Sequence, residues 1–137
     1  MTDEAEGQQA LSQRRLERAR QHLKSARDLL AQQDFADSVS RSYYGIFQAA
    51  RALLALEGLD SRKHSGIVAL FNRHFVKTGR FERRFGTLLK TARQARERAD
   101  YGDLVEFAEA DAESQLREAE EFVRAVEDYI RRTRTSD

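Results

Sequence analysis

The chain has 137 residues, of which 40% are hydrophobic, a size and composition that fit one folded domain. It contains no cysteine, which excludes disulfides, cysteine-ligated metals and thiolate catalysis. No apolar run approaches the roughly 18 residues that a membrane span requires, and residues 1–9 contain no basic stretch leading into an apolar one. We therefore expect a cytoplasmic protein that holds no metal and no cofactor.

The residue types favour helix along nearly the whole chain. There is no proline and only seven glycines, whereas alanine, leucine, glutamate, arginine and glutamine are abundant. Short polar breaks between the helical segments force neighbouring helices to run antiparallel. We predict an all-α, up-and-down bundle of four to five helices over residues 11–132, with flexible ends at residues 1–10 and 133–137.

The first half of the chain is predicted to form two helices. Helix 1 runs from about Leu11 to Gln32, because apolar residues recur along it at alternating spacings of three and four. Helix 2 runs from about Asp34 to Glu57 and carries two adjacent apolar stripes, so it should be largely enclosed, and Gly58 is a stop signal. The apolar positions are Leu16, Ala19, Leu23, Ala26 and Leu30 in helix 1, and Val39, Tyr43, Ile46, Phe47, Ala50, Leu53 and Leu54 in helix 2.

Three further helices are predicted in the second half. Helix 3 is capped by Asp60 or Ser61 and continues to Gly79. Helix 4 follows and is closed by the polar break at residues 100–102. The last helix starts near Asp103, with Glu106 placed as in a capping box, and continues to the basic tail. The apolar positions are Ile67, Val68, Phe71 and Phe75 in helix 3, Phe81, Phe85, Leu88, Ala92, Ala95 and Ala99 in helix 4, and Val105, Ala108, Ala112, Leu116, Ala119, Val123, Val126 and Ile130 in the last.

Charge is distributed unevenly although the net charge is only +1. The segment from Asp60 to Arg98 holds eleven basic residues against three acids, net +8, whereas the segment from Asp100 to Glu121 has a net charge of −8. One interpretation is that neighbouring helices offset each other. The other is a face for RNA or a nucleotide on the basic segment.

One side of helix 2 consists of unusually small residues, so another backbone can approach it closely. That backbone belongs either to a neighbouring helix of the same chain or to a second copy of the protein. Tyr43 and Tyr44 point to different sides of the helix, so at most one lies fully in the core. The small residues are Ser38, Ser40, Ser42, Gly45, Ala49 and Ala50.

The start of helix 3 is a candidate anion site. Lys63, His64 and Ser65 lie in its first turn, where free backbone N–H groups and the helix dipole favour a phosphate. The structural alternative is that His64 hydrogen-bonds to a carboxylate or carbonyl in a packing layer. The three histidines of the chain are too scattered to predict a metal site.

Three spaced motifs carry a family resemblance. They are Ser40-Arg41-Ser42-Tyr43-Tyr44-Gly45-Ile46-Phe47, then Lys63-His64-Ser65-Gly66, then Arg96 through Ala99-Asp100-Tyr101. In this order they resemble the HEPN family, and most closely its small stand-alone bacterial and archaeal members, over about Arg14 to Ile130. The resemblance implies a four- or five-helix up-and-down bundle, commonly a homodimer, often encoded beside a small nucleotidyltransferase as a toxin–antitoxin pair.

The resemblance also bears on catalysis. Several HEPN toxins are metal-independent RNases, in which an arginine and a histidine four to six residues later supply the transition-state cation and the acid/base group. Here Asp100 stands about where that histidine would be. An aspartate with an ordinary pKa near 3.9 is a poor general acid at neutral pH, whereas histidine, near 6.5, can act as acid and base.

We therefore expect a dimeric accessory or regulatory component of a nucleotidyltransferase-associated module that binds a nucleotide or RNA. The alternative is a metal-independent endoribonuclease that uses Arg96 with Asp100 or His64. A separate nucleotide-binding module, with Lys63, His64 and Arg41 around a phosphate, is the third hypothesis. The predicted nucleotide or phosphate site comprises Arg41, Tyr44, Lys63, His64, Ser65, Arg96 and Tyr101.

Overall fold

The computed structural model describes residues 3–102 and 106–135. Within these residues the chain forms five α-helices and no β-strand, which confirms the predicted all-α fold. No helix in this part of the chain is long and apolar enough to cross a membrane. The helices are α1 (Asp3–Ala31), α2 (Phe35–Leu56), α3 (His64–Phe71), α4 (Arg83–Tyr101) and α5 (Glu109–Thr135), and a π-helical turn, Asn72–Val76, continues α3.

The first helix begins earlier than predicted. α1 starts at Asp3 rather than near Leu11, so residues 3–10 are helical. Asp3, Glu4 and Glu6 lie in its first turn, where negative charge interacts favourably with the helix dipole. The prediction rested on apolar periodicity, which begins only where α1 packs against other helices. The polar residues before that point therefore gave no helical signal.

The third helix begins later than predicted. Its N-cap is Lys63, so the predicted caps Asp60 and Ser61 lie in the connection that precedes it. Ser61 nevertheless stabilises the residues just before the helix, because its Oγ accepts a hydrogen bond of 3.2 Å from the backbone N–H of Lys63. The end of this segment agrees with the prediction, since Gly79 adopts a positive φ of 80°.

The last helix also begins later than predicted. α5 starts at Glu109, and the predicted cap Asp103 lies outside the described residues. Asp111 supplies part of a capping box, because its Oδ2 accepts a 3.0 Å hydrogen bond from the N–H of Ala108. Ala108 precedes the helix and is exposed, so its assignment to the apolar stripe was wrong.

The second helix lies at the centre of the bundle and contacts all four of the others. Its small face packs against α1 of the same chain, which agrees with the intrachain interpretation. Ser38 Oγ donates a 2.9 Å hydrogen bond to the carbonyl of Ala26. A Cβ added at Gly45 would lie 3.0 Å from Leu23 Cδ2 and 3.4 Å from the carbonyl oxygen of Ala19. This face is therefore occupied within the chain.

The long helices pair in antiparallel fashion. Ser38, near the start of α2, contacts the end of α1. The carbonyl of Arg51, near the end of α2, accepts a hydrogen bond from Arg15 in the first half of α1. α5 also runs antiparallel to α1, because Arg20 pairs with Glu127 and Arg27 pairs with Glu120. The predicted core positions of helix 2 are all buried, and α5 adds Phe122, which the predicted stripe omitted.

The first testable prediction concerns the close contact between α3 and the preceding connection. A Cβ added at Gly66 would lie 2.0 Å from Ser61 Oγ and 2.7 Å from Ser61 Cβ. We expect Gly66→Ala to lower the free energy of unfolding by about 1–3 kcal/mol, the usual cost of overpacking. Urea unfolding followed by circular dichroism measures the change.

Gly7→Ala is the matched control, because Gly7 is also helical but an added Cβ there meets nothing within 4 Å. Its better helix propensity should raise stability by up to about 1 kcal/mol. Equal stabilisation by both substitutions would contradict the close contact at Gly66.

Candidate functional site

Helices α2, α3 and α4 bring five polar and aromatic side chains together. Four of them belong to the predicted site, and the fifth is a neighbouring tyrosine of α2. α2 supplies two adjacent tyrosines, α3 supplies its first residue, and the last two turns of α4 supply an arginine and a tyrosine. We call this cluster the Arg96 site. It comprises Tyr43, Tyr44, His64, Arg96 and Tyr101.

Arg96 is the central group of the site. It is only 9% exposed. Its Cζ lies 5.4 Å from the ring centroid of Tyr43, 5.7 Å from that of Tyr44 and 5.9 Å from that of Tyr101. At such distances a guanidinium is attracted by the ring electrons, more strongly where water is excluded. The site therefore holds a positive charge in place chiefly with aromatic rings.

The polar partners of Arg96 leave part of its hydrogen-bonding capacity unused. Its Nη1 lies 3.4 Å from Oδ2 of Asp100, a long contact for a charged pair. Its buried Nε has no hydrogen-bond partner among the described residues. Burial opposes the charge of Arg96, but Tyr44 and the hydrogen bond to Asp100 outweigh it and raise the pKa. Arg96 is thus a buried charged group with a donor that no described residue satisfies.

His64 is fixed by one hydrogen bond and two rings. Its Nδ1 lies 2.7 Å from the hydroxyl oxygen of Tyr43. Its ring stacks on Phe47 with a centroid distance of 4.2 Å and an interplanar angle of 15°, and a second stacking contact is made with Tyr43 at 5.7 Å. The structural alternative named a carboxylate or carbonyl as the partner of His64; the partner is instead a tyrosine hydroxyl, although His64 does belong to a packing layer.

The site keeps His64 and Tyr43 neutral at pH 7. Burial lowers the pKa of His64, and the charges of Arg96, Arg93 and Arg51 lower it further. Burial raises the pKa of Tyr43 strongly, although Arg96 and Arg93 oppose this shift. Because both groups are neutral, the imidazole tautomer decides whether the tyrosine hydroxyl donates to Nδ1 or Nδ1–H donates to the tyrosine oxygen.

Arg93 is a residue of this region that the motif reading missed. It lies one turn before Arg96 on α4, and its charge lowers the pKa of both His64 and Tyr43. Its Nε lies 3.5 Å from Glu97 Oε1 but forms no hydrogen bond within the described residues. The spacing of three between the two arginines, which places both on one helix face, was the signal available in the sequence.

Three predicted site residues lie apart from this cluster. Arg41 is exposed, and its Nη1 lies 3.5 Å from Nδ1 of His22, whose ring is 5.8 Å from that of Tyr44. Lys63 and Ser65 flank His64 in the chain but are exposed, and among the described residues no hydrogen bond or ion pair joins either side chain to the Arg96 site. The structure therefore brings together Tyr44, His64, Arg96, Asp100 and Tyr101 from the predicted set.

The basic segment remains mostly uncovered by acids. Within the described residues, Arg84–Glu121 is the only ion pair that joins it to α5, and Arg96–Asp100 is internal to α4. Two other acids of α5, Glu127 and Glu120, pair instead with Arg20 and Arg27 of α1. Seven basic side chains of the segment are exposed and form no ion pair in this part of the chain: Arg62, Lys63, Arg73, Lys77, Arg83, Lys90 and Arg98.

A separate cavity of about 520 Å³ lies between α1, α5 and the end of α2. Its apolar wall is formed by Leu16, Leu56 and Ile130. No residue of the Arg96 site lines it, so the buried charge of Arg96 and the histidine His64 lie elsewhere. Size alone therefore does not identify the functional site, and the Arg96 site has the stronger chemical features.

Comparison with known proteins agrees with the motif reading. A family model described as the HEPN domain matches residues 12–129. The chain belongs to the HEPN family. It is 42% identical over 113 residues to a UPF0332 protein of Thermotoga maritima, which covers 82% of this chain and 86% of that protein. It is also 36% identical over 108 residues to a Methanocaldococcus jannaschii protein named as a candidate toxin. The matched residues cover 79% of this chain and 80% of that protein.

A second Methanocaldococcus jannaschii protein named as a candidate toxin is 28% identical over 115 residues, which cover 84% of this chain and 78% of that protein. The family resemblance drawn from the three motifs is therefore confirmed. In this HEPN protein the three motifs lie on α2, on α3 and at the end of α4, and their aromatic and basic side chains meet at the Arg96 site.

The second testable prediction concerns the stability of this HEPN protein at acidic pH. Burial lowers the pKa of His64 and of His22 in the fold, and nearby arginines add to the effect. The unfolded chain, with an ordinary pKa near 6.5, then binds more protons than the folded chain as the pH falls. The stabilisation is complete above about pH 6.5 and is lost as the pH falls toward the lowered values.

Urea unfolding at about pH 7.5 and about pH 5.5 measures this effect. We expect a lower free energy of unfolding at the acidic pH, and a smaller difference in the His22→Gln/His64→Gln double variant. An equal pH dependence in the two proteins would contradict the burial of neutral histidines.

Proposed function

We propose that this HEPN protein binds RNA or a nucleotide at the Arg96 site and acts as a regulatory component of a toxin–antitoxin-like module. The single observation that carries the proposal is the buried Arg96 guanidinium, which is surrounded by tyrosines and whose Nε has no hydrogen-bond partner in the part of the chain that the structure describes. A phosphate oxygen is an acceptor that suits this donor. The positive charge remains available because its carboxylate contact with Asp100, the one that Arg96 makes within the described residues, is long.

The surroundings of Arg96 suit a nucleotide better than a simple anion. Tyr101 is 75% exposed and lies beside the guanidinium, so it offers a ring face on which a base can stack. Proteins that bind single-stranded RNA combine such rings with basic side chains. The seven exposed basic residues of the Asp60 to Arg98 segment extend the positive surface for neighbouring phosphates.

The cellular role is inferred from the relatives. Two of them carry names that mark them as candidate toxins, and both match more than three quarters of this chain. We place this protein in the same kind of module, in a cytoplasmic setting. Its proposed partners are a second copy of the chain and a small nucleotidyltransferase. The homodimer rests on the family resemblance, because the small face of α2 is covered by α1.

The third testable prediction is that Arg96→Ala weakens binding of a fluorescein-labelled single-stranded RNA at least about tenfold, equivalent to about 1.4 kcal/mol. The physical reason is the loss of both the phosphate donor and the order it imposes on the tyrosines. Fluorescence anisotropy at low salt measures the affinity, and circular dichroism verifies the fold of each variant.

Arg98→Ala is the matched control, since Arg98 is an exposed arginine of the same helix without an ion pair in the described residues. It should weaken binding only about twofold and reduce the salt dependence slightly. Asp100→Asn should strengthen binding, because it removes the carboxylate that competes for Arg96. Equal losses for Arg96→Ala and Arg98→Ala would assign binding to diffuse charge rather than to the Arg96 site.

A metal-independent endoribonuclease is the second candidate function, favoured by the presence of His64 beside Arg96. Cleavage by the RNA 2′-hydroxyl requires one group to remove its proton and another to protonate the departing 5′ oxygen. Neutral His64 can accept the first proton, and Arg96 can stabilise the charge that develops on the phosphate. The second proton needs a donor, and the aspartate at position 100 suits that task poorly.

The fourth testable prediction is therefore little or no RNA cleavage by purified protein in EDTA. Labelled RNA separated on a denaturing gel measures the products over time. Robust cleavage that is abolished by both Arg96→Ala and His64→Ala, with folded proteins, would reverse the order of the two candidate functions. Cleavage that survives in both variants would indicate a contaminating nuclease.

A further inference from the structure

A second polar cluster lies beside the Arg96 site, at the connection between α2 and α3. Asp60 in this connection receives contacts from two helices. Arg15 Nη2 on α1 lies 3.1 Å from its Oδ2, and Arg51 on α2 contacts both carboxylate oxygens, at 3.2 Å through Nη2 and 3.4 Å through Nε. Arg15 Nη1 also donates a 3.2 Å hydrogen bond to the carbonyl of Arg51. One carboxylate thus joins three segments of the chain.

The charged groups of the cluster differ in how far they are buried. Arg15 is only 7% exposed. Burial and the neighbouring Arg51 lower its pKa, whereas Asp60 opposes that shift. The pKa of Asp60 is lowered even though burial alone would raise it, because it accepts hydrogen bonds from Arg51 and from the N–H of Ser61. Asp60 is thus the carboxylate that compensates two arginines, one of them buried.

A continuous set of contacts leads from Asp60 to the start of α3. Asp60 Oδ1 accepts a 2.8 Å hydrogen bond from the N–H of Ser61. Ser61 Oγ in turn accepts a 3.2 Å hydrogen bond from the N–H of Lys63, the residue directly before His64. Ser61 also packs against Gly66, where an added Cβ would meet it at 2.0 Å. The first turn of α3 is therefore attached to the connection at two points.

A second route runs through Phe47. The Cζ of Arg51 lies 5.7 Å from the centroid of the Phe47 ring, and that ring stacks on His64 at 4.2 Å. Asp60 holds the Arg51 guanidinium that covers the ring. The same carboxylate is thus connected both to the backbone that carries His64 and to the aromatic surface on which His64 lies.

From these contacts we infer that Asp60 is a positioning residue that holds His64 against Phe47 and Tyr43 in the Arg96 site. The functional importance of this role rests on the proposed function, in which His64 is part of the site. The positioning itself is a property of the free protein. It is therefore measurable without RNA and without any assumption about the ligand.

The test compares Asp60→Asn with the natural protein by NMR. The His64 ring protons lie close to the face of Phe47, so they should resonate upfield of ordinary histidine positions. In Asp60→Asn we expect this upfield shift to be largely lost. We also expect the pKa of His64 to rise toward the ordinary value of about 6.5 as the ring leaves its buried position. His64→Gln identifies the resonance among the three histidines.

Asp28→Asn is the matched control, because Asp28 is an exposed aspartate without an ion pair in the described residues. It should leave the His64 resonance and its titration unchanged. Asp60→Glu, which restores a carboxylate, should recover at least part of the upfield shift. These two variants separate the positioning role from a general effect of removing an acid.

Two results would overturn the inference. One is an unchanged His64 resonance in Asp60→Asn. The other is a His64 that keeps its upfield shift while its pKa falls further, which would show that Asp60 merely offsets the charge of Arg51. If Asp60→Asn fails to fold, the double variant Arg51→Gln/Ser61→Ala interrupts both routes from Asp60 to His64 and should shift the same resonance, and an unchanged resonance there would refute the role. RNA binding by Arg96→Ala tests the proposed function separately, so the two failures are distinguishable.

Discussion

The close packing of α1 on the small face of α2 is the constraint on which the rest of the bundle depends. Gly45 brings the two backbones together on that side, and α2 contacts α3, α4 and α5 on its other sides. Tyr43 and Phe47 are buried there and form the surface that holds His64. A larger residue on the small face would separate α1 from α2 and shift the aromatic residues that surround Arg96.

Burying Arg96 carries a desolvation cost, and the structure offsets it in an unusual manner. A buried guanidinium ordinarily requires a close carboxylate. Here three tyrosine rings surround the charge, and the aspartate lies at the edge of normal contact distance. Rings hold a cation without neutralising it, so Arg96 keeps its attraction for anions. A close, bidentate carboxylate would have stabilised the fold more and left less affinity for a ligand.

Helical periodicity predicted the class of fold and the buried stripes well, because an amphipathic pattern directly reflects which face is buried. It failed at the ends of helices, where local hydrogen bonds decide. The start of α3 at His64 depends on Asp60 and Ser61 acting within the connection, and the start of α5 depends on Asp111. In the site, motifs identified Arg96 and His64, but the stacking on Phe47 and the role of Asp60 arise from tertiary contacts that sequence spacing does not encode.

The pairing of the α5 acids with α1 gives the molecule an electric polarity. Glu120 and Glu127 lie against arginines of α1, while seven basic residues of the Asp60 to Arg98 segment are exposed and form no ion pair within the described residues. Charges separated in this way give a protein of net charge +1 a dipole moment, on which a polyanion exerts a torque before contact. The molecule would rotate so that α4 faces the polyanion as the two approach each other by diffusion. The fraction of encounters that lead to binding would then depend on this orientation more than on the net charge.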